Sequence, residues 1–254
     1  MGGFGVSQQP LIRVINLDRC EDRLQHITAE LAAVGLQWER LAAVEPTAHG
    51  YLAHPLYRAG KAKRFHGVDL ARGEIGCFLS HIEALQTFLD SGRTHLLVLE
   101  DDVDLPPDFQ PFLADLTTEL NGLAWDWSCL NLSASYDKRC KSICTPAMPS
   151  FKSRTLRRAF YFPILTSALL WSRSGAQAFL EHVRRHGMYL PVDQQLRAHL
   201  AKTGRGLSLS TPVVDLLPMP TSIEARINQR HPMARLRRNA ANYGWAYLNM
   251  FCNR

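Results

Sequence analysis

The sequence predicts an α/β fold with a mostly parallel central sheet flanked by helices. Two observations lead to that prediction. Short apolar runs of strand length, such as the one that ends at Glu100, alternate with longer segments whose apolar residues recur at helical spacing. In addition, the strand, helix and strand predicted within residues 11–44 have the length of a βαβ unit, whose strands are parallel and whose connection is right-handed.

Strands are predicted where continuous apolar runs are bounded by polar residues, because such runs are typical of buried strands. By this criterion they fall over 11–17, 38–44, 95–100, 126–132 and 161–171. Helices are predicted where apolar residues recur at helical spacing. One predicted helix ends at Gly35, a second runs from 73 to 92, and a third runs from 108 to about 120. Three further helices are predicted to begin near residues 173, 191 and 232. Two segments show neither pattern and are predicted to be irregular, 45–72 and 133–160.

The basic character of the chain lies in its C-terminal segment. Lys and Arg number 29 against 23 Asp and Glu, and residues 226–254 hold six Arg and no acid, so that removing them leaves 23 against 23. The high pI therefore gives no reason to expect a nucleic-acid partner, and we expect none. We divide the chain into a flexible N-terminus (1–10), one globular domain (11–225) and a basic tail (226–254).

The tail has an amphipathic pattern. Its apolar residues form one helical stripe, made of Met233, Leu236, Ala240, Tyr243, Tyr247 and Phe251. A basic amphipathic helix either lies on an anionic membrane surface or folds back onto its domain, and the sequence leaves both open. With no signal peptide and six cysteines that lack zinc-site spacing, we expect a cytoplasmic protein, with peripheral membrane contact through the tail as one option.

Three consecutive carboxylates, Glu100, Asp101 and Asp102, directly follow the strand over 95–100. Ligands of open α/β sheets bind outside the carboxyl ends of strands. Adjacent carboxylates repel one another, and a hard cation such as Mg²⁺ or Mn²⁺ bound together with a substrate diphosphate would explain their proximity. The alternative is a solvated acidic turn that caps the next helix.

Polar residues also follow the first strand, at the junction with its helix. They are Asn16, Asp18, Arg19 and Arg23. Nucleotide ligands commonly bind at this junction, but no Gly-x-Gly-x-x-Gly or Walker sequence is present, which excludes dinucleotide dehydrogenases and P-loop enzymes. The alternative is helix capping by Asp18 with a solvated pair of Asp22 and Arg23.

Two helix starts carry further candidates. Gly73 and Gly76 permit close approach of a ligand or neighbouring strand, and Ser80 and His81 lie one turn further along. A lone histidine on such a helix is more often structural. Asp193 lies in the first turn of a later helix, where the helix dipole favours its charge.

In this order the motifs resemble glycosyltransferase family 25. The resemblance covers about residues 11–225 and rests on four blocks: Ile15-Asn-Leu-Asp-Arg19, Gly73-Glu-Ile-Gly-Cys77 with Ser80-His81, Leu99-Glu-Asp-Asp-Val103, and Pro191-Val-Asp-Gln194. That family includes bacterial lipooligosaccharide β-galactosyltransferases and collagen hydroxylysine galactosyltransferases.

The resemblance implies a GT-A-like fold, a UDP-sugar donor and inversion at the anomeric carbon. It maps the family's donor-site motifs onto Asn16, Asp18 and Arg19 and onto Glu100, Asp101 and Asp102. We expect donor binding by these residues: Asn16, Asp18, Arg19, Arg23, Gly73, Glu74, Ser80, Glu100 and Asp101. The resemblance assigns a divalent metal (Mn²⁺ or Mg²⁺) to Asp102 with Glu100. We expect Asp193 to be the catalytic base, with His81 in reserve.

The expected reaction is transfer of a hexose, galactose from UDP-galactose, to a hydroxyl of a glycan acceptor such as lipooligosaccharide or lipopolysaccharide. The family usually shows Thr-x-Gly/Ala-Tyr where this chain reads Thr166-Ser-Ala-Leu-Leu-Trp171, which leaves the donor sugar open. The alternatives are another UDP-sugar, a protein or peptide acceptor, or a non-catalytic relative that binds nucleotide or glycan.

Overall fold

The computed structural model describes residues 9–217 and 232–252. The predicted boundary at 225, most of the flexible segment 1–10, and residues 226–231 of the tail lie outside the described residues.

The described chain alternates strands and helices over most of its length. The strands are β1 (Leu11–Asn16), β2 (Glu39–Ala42), β3 (His95–Glu100), β4 (Val103–Asp104), β5 (Cys129–Asn131), β6 (Cys140–Cys144), β7 (Leu156–Ala159), β8 (Ala168–Ser172), β9 (Gly206–Leu209) and β10 (Asp215–Leu216). The α-helices are α1 (Glu21–Ala33), α2 (Ala59–Phe65), α3 (Arg72–Asp90), α4 (Phe109–Asn121), α5 (Arg173–His186), α6 (Val192–Thr203) and α7 (Pro232–Cys252). The α/β class predicted from the sequence is confirmed.

The central sheet has eight strands in the order β2-β1-β3-β8-β5-β9-β7-β6. The β1–β2, β1–β3 and β5–β9 pairs are parallel, whereas β8 pairs antiparallel with both β3 and β5. The pairs β7–β9 and β6–β7 are also antiparallel. The sheet is therefore mixed rather than mostly parallel, because β8 inserts in the opposite direction at its centre. The predicted βαβ unit, β1–α1–β2, is parallel as expected.

Both segments predicted to be irregular contain regular structure. Helix α2 lies within 45–72, and the hairpin of β6 and β7 within 133–160 extends one edge of the sheet. In β7 the two end residues are buried while Arg157 and Arg158 between them are half-buried. The basic residues obscured the apolar pattern, and backbone pairing with β9 forms the strand.

Alternate residues of β3 enter two cores on opposite faces of the sheet. Leu96 and Val98 pack with α3 and α5, whereas Leu97 and Leu99 pack with α1 and α4. All four are fully buried, and alternation between faces is the normal geometry of a strand. β3 is thus rigid up to Glu100, where the acidic cluster begins.

Helix α7 folds back onto the domain against α6 and α2. Its buried residues are Ala234, Asn242 and Ala246, whereas Leu236 and Phe251 of the predicted apolar stripe are each 62% exposed. The packed face is therefore not the predicted stripe. No helix among the described residues is long and apolar enough to cross a membrane.

Candidate active site

A cavity of about 410 Å³ opens at the carboxyl ends of β1 and β3. Because these strands are parallel neighbours, the residues that follow them meet at one edge of the sheet. Eight residues predicted from the sequence line the cavity: Arg19, Arg23, Gly73, Ser80, His81, Glu100, Asp101 and Asp102. Asn16, Asp18, Glu74 and Asp193 are not among its lining residues.

Asn16 positions Asp101 from beneath the cavity. Its buried side-chain amide donates to Asp101 Oδ2 at 2.7 Å and to the Cys20 carbonyl at 3.0 Å, and its oxygen accepts from Arg40 at 3.0 Å. Asp18 instead points to solvent and pairs with Arg40 at 2.5 Å. It does not cap α1, because no side-chain hydrogen bond caps that helix.

Arg23 lies between two of the acids. Its guanidinium is 3.0 Å from Asp101 Oδ1 and 3.4 Å from Asp102 Oδ2. The alternative of a solvated pair with Asp22 is therefore wrong, since Arg23 is only 12% exposed and faces the acidic cluster. Asp101 has both oxygens engaged by Asn16 and Arg23.

Asp102 is the carboxylate with an open coordination position. Its Oδ1 is buried and has no hydrogen-bond partner among the described residues. Burial and the neighbouring charge of Glu100 raise the pKa of Asp102 to about 6, despite the opposing effect of Arg23. A buried anionic oxygen without a donor is unfavourable unless a cation or a protonated group binds it. The residue therefore suits a hard divalent cation.

Glu100 is fixed by hydroxyl groups. It accepts hydrogen bonds from Thr166 Oγ1 at 2.7 Å and from Ser167 Oγ at 3.3 Å, and His81 Nε2 lies 3.6 Å from Oε1. Burial opposes ionisation, but His81 and these hydroxyls outweigh it, so that the pKa of Glu100 lies below its usual value. Glu100 is thus a charged, oriented group with fewer free positions than Asp102.

Cys77, His81 and Glu100 bring three possible ligand atoms within 4.8 Å of one another. A sulfur–nitrogen–oxygen set favours softer metals than Mg²⁺ or Mn²⁺. Burial raises the pKa of the Cys77 thiol well above its usual value, which keeps the sulfur protonated and a poor ligand. We interpret the group as a buried polar network.

The start of α3 forms one wall of the cavity. The Ser80 hydroxyl accepts from the Val44 amide at 2.8 Å and donates to the Gly76 carbonyl at 2.9 Å. A Cβ at Gly76 would lie 2.4 Å from the Val44 carbonyl oxygen, so glycine allows this close approach of the β2–α2 segment. Glu74, predicted to bind the donor, accepts from the Ala71 amide at 2.9 Å at the start of the helix.

Asp193 lies at the start of α6, which packs against α3. Its Oδ1 accepts from the Gln194 amide at 2.7 Å. Burial raises the pKa of Asp193, and the charge of Glu100 adds to the shift, while Arg197 and Arg238 oppose it. The charges of both Glu100 and Asp193 also raise the pKa of Cys77, so both carboxylates lie near the first turns of α3.

Sequence reasoning missed several residues of the cavity and its support. Thr166 and Ser167 hold Glu100, Arg40 holds Asn16, and Arg72 lines the cavity beside Gly73. One signal was present: two hydroxyl residues interrupt the apolar stretch before Trp171. Arg40 gave no signal, because its partner lies across a strand pair.

The fold and the site define an α/β protein whose acid- and arginine-lined cavity lies where ligands of parallel strands bind. The model of Glycosyltransferase family 25 (LPS biosynthesis protein) matches residues 9–196, and the chain belongs to that family. The resemblance noted from the four motifs is confirmed.

Several curated relatives of this chain are named as galactosyltransferases or as members of glycosyltransferase family 25. The chain is 35% identical to procollagen galactosyltransferase 1 of Danio rerio over 54% of its own length and 22% of the relative's. It is 28% identical to procollagen galactosyltransferase 1-B of Xenopus laevis, over 72% of its own length and 30% of the relative's. It is 26% identical to "Probable inactive glycosyltransferase 25 family member 3" of Rattus norvegicus, over 52% of its own length and 22% of the relative's. The chain thus spans less than a third of each relative.

A solved structure titled as a glycosyltransferase involved in glycosylation of the major capsid of PBCV-1 aligns over 94% of this chain and 100% of its own, with a TM-score of 0.39 and 8% identity. So low a score carries no weight for the fold.

Proposed function

We propose that this chain is a GT-A-like inverting glycosyltransferase that moves galactose from UDP-galactose to a hydroxyl of a glycan acceptor. The observation that carries the proposal is the buried Asp102 Oδ1, which has no hydrogen-bond partner in the described part of the chain, in a cavity that also holds Arg19, Arg23 and the oriented Glu100. Family membership and the galactosyltransferase names of two relatives support the choice of reaction.

The cavity offers separate surfaces for the parts of a UDP-sugar. Apolar side chains of Ile15, Leu17 and Pro46 suit a nucleoside, while Arg19 and Arg72 suit phosphate oxygens. Arg19 also pairs with Glu45 at 2.5 Å, with both side chains about half exposed, so an incoming diphosphate can compete for it. A volume of about 410 Å³ is in the usual range for small-molecule sites.

Asp102 would hold the divalent metal, with the fixed charge of Glu100 nearby. When bound, Mn²⁺ or Mg²⁺ supplies Lewis-acid stabilisation of the leaving diphosphate. Asn16 and Arg23 hold Asp101 in place, so that the chain contributes a preorganised set of charges around that position.

Inversion needs one base that takes the proton of the acceptor hydroxyl on the face opposite the leaving group. We assign this role to Asp193, whose raised pKa brings it nearer to the working pH than an ordinary aspartate. His81 is the second candidate, since its Nε2 is buried, lacks a hydrogen-bond partner among the described residues and belongs to a ring that lines the cavity.

A non-catalytic nucleotide- or glycan-binding protein is the competing function, and one family relative is named as probably inactive. The expected lipooligosaccharide or lipopolysaccharide acceptor, the cytoplasmic location, the lack of a nucleic-acid partner and the membrane contact of 226–254 stay predictions.

The test is a donor screen that measures UDP release from UDP-galactose, UDP-glucose and UDP-N-acetylhexosamines, with Mn²⁺, Mg²⁺ or EDTA. We expect release to be fastest with UDP-galactose, to require a divalent ion and to be lost in Asp102→Asn. UDP binding without turnover of any donor, with or without glycan acceptors, would favour the non-catalytic function. Turnover unaffected by EDTA would remove the metal role of Asp102.

A further inference from the structure

A second cavity, of about 460 Å³, lies between the start of α6 and the C-terminal helix α7. Its lining includes Tyr161, Gln194, Arg197, Arg235, Arg238 and Asn242. Among the described residues, the lining contains three arginines and no acidic residue. Its charge is therefore opposite to that of the acidic cluster in the first cavity.

Helix α7 presents one continuous polar face to this cavity. Arg235, Arg238, Asn239 and Asn242 follow the spacing i, i+3, i+4 and i+7, which places them on one side of a helix. The face is held in place, because Arg238 donates to the Phe65 carbonyl at 3.0 Å and Tyr243 stacks on Tyr161 with 4.7 Å between ring centroids.

The opposite wall comes from α6 and is equally well ordered. Arg197 donates to the Phe162 carbonyl at 2.5 Å and lies 4.3 Å from the centre of the Tyr161 ring, so its planar fork has a fixed orientation. Gln194 Oε1 is buried and has no hydrogen-bond partner among the described residues. This wall thus offers a fixed cation and an acceptor for a hydroxyl group.

The two cavities lie close together, and Asp193 is near both although it lines neither. Gln194 lines the second cavity, and on the nearby segment Ile164 lines the second cavity while Leu165 lines the first. Asp193 senses the charge of Glu100 from the first cavity and those of Arg197 and Arg238 from the second. A molecule in the second cavity would thus lie next to Gln194, the sequence neighbour of the proposed base.

We propose that the second cavity binds an anionic group, a phosphate or a carboxylate, carried by the glycan that accepts the transferred sugar; this inference rests on the proposed function. Three arginines in the lining favour an anion, and planar guanidinium groups match both oxyanions. The asparagine side chains, the tyrosines and Gln194 suit the hydroxyls and faces of the attached sugar rings.

The test compares charged and neutral sugars in phosphate-free buffer at fixed low salt. Ligand-detected NMR titrations measure the Kd of glucose 6-phosphate, glucuronate and glucose for the full chain. We expect the charged sugars to bind more tightly than glucose, and their order to tell phosphate from carboxylate. In Arg235→Gln the Kd of the preferred charged sugar should rise by about threefold to tenfold, the usual net effect of one hydrogen bond, because Arg235 is exposed to solvent.

The matched control is Arg237→Gln, which removes the same charge from an exposed position of α7 outside the cavity lining. Its Kd for the charged sugars should equal that of the wild type, and thermal melts should show both variants folded. Equal loss in the two variants, no loss in Arg235→Gln, or no preference for charged over neutral sugars would each overturn the proposal.

Calorimetric titration with UDP separates this inference from the proposed function. If the wild type binds no UDP, the proposed function is wrong, whatever the Kd values of the sugars. If Arg235→Gln weakens UDP binding as much as it weakens the charged sugar, the second cavity belongs to the donor phosphates and the acceptor assignment is wrong.

Discussion

The two cavities differ in charge and in how the chain builds them. The first carries Glu100, Asp101 and Asp102 within three residues of one strand end. The second is lined by Arg197 of α6 and by Arg235 and Arg238 of α7, and no acidic residue is among its described lining residues. The first therefore suits a cation with a diphosphate, whereas the second suits an anion without a cation.

In the proposed reaction the donor and the acceptor would occupy two different electrostatic environments, and Asp193 lies near both. A carboxylate there is influenced by acids on one side and arginines on the other, with burial as the main cause of its raised pKa. In the proposed reaction Asp193 would take the proton of the acceptor hydroxyl, separately from the acids proposed to bind the metal. Three variants test this division.

The largest expected effect is that of Asp193→Asn, near both cavities. Loss of a general base should lower turnover by about 10²–10⁴-fold while the Kd for UDP changes little, because Asp193 does not line the first cavity. Steady-state rates and UDP calorimetry measure both quantities. Asp90→Asn, exposed at the end of α3, is the control. Turnover within a few-fold of wild type would transfer the base role to His81.

Gly76→Ala should damage the first cavity and spare the second. The new Cβ would meet the Val44 carbonyl oxygen at 2.4 Å and push the β2–α2 segment away from α3. We expect the free energy of unfolding to fall by about 1–3 kcal/mol and UDP binding to weaken. Denaturant titration and calorimetry measure the two effects.

The control for that variant is Gly244→Ala in α7, where a Cβ would meet nothing within 4 Å. Since alanine is the better helix former, it should stabilise the protein by about 0.5–1 kcal/mol. If Gly76→Ala is as well tolerated, the close approach at Val44 does not shape the cavity.

Asp102→Asn should stabilise the metal-free protein at neutral pH. The folded pKa of about 6 lies above the ordinary value of 3.8, so the wild type loses stability as the pH rises between these values. The variant does not titrate there and should be more stable above pH 6 by about 1–2 kcal/mol, an advantage that disappears near pH 4. Thermal melts across this range with EDTA measure it. A pH-independent difference would contradict the assigned pKa.

Much of the first cavity could be predicted, because its residues belong to local motifs. The apolar run of β3 and the acids after it occur together in the sequence, and Asn16 directly ends β1. The roles were harder to predict than the positions. Asn16 donates a hydrogen bond to Asp101, Glu74 accepts one from the Ala71 amide at the start of α3, and Asp18 faces solvent. Each role depends on which way the side chain points at a junction.

The α/β class, the β1–α1–β2 unit, the acidic cluster at the end of β3 and the family could all be read from the amino-acid sequence. These features depend on local periodicity and short motifs, which are properties of neighbouring residues. The antiparallel insertion of β8, the hairpin at the sheet edge and the packing of α7 beside α6 became visible in the folded chain alone, because they depend on contacts between distant residues. The second cavity was equally invisible in the sequence, because its walls join residues from 134 to 243 and long-range packing alone brings them together.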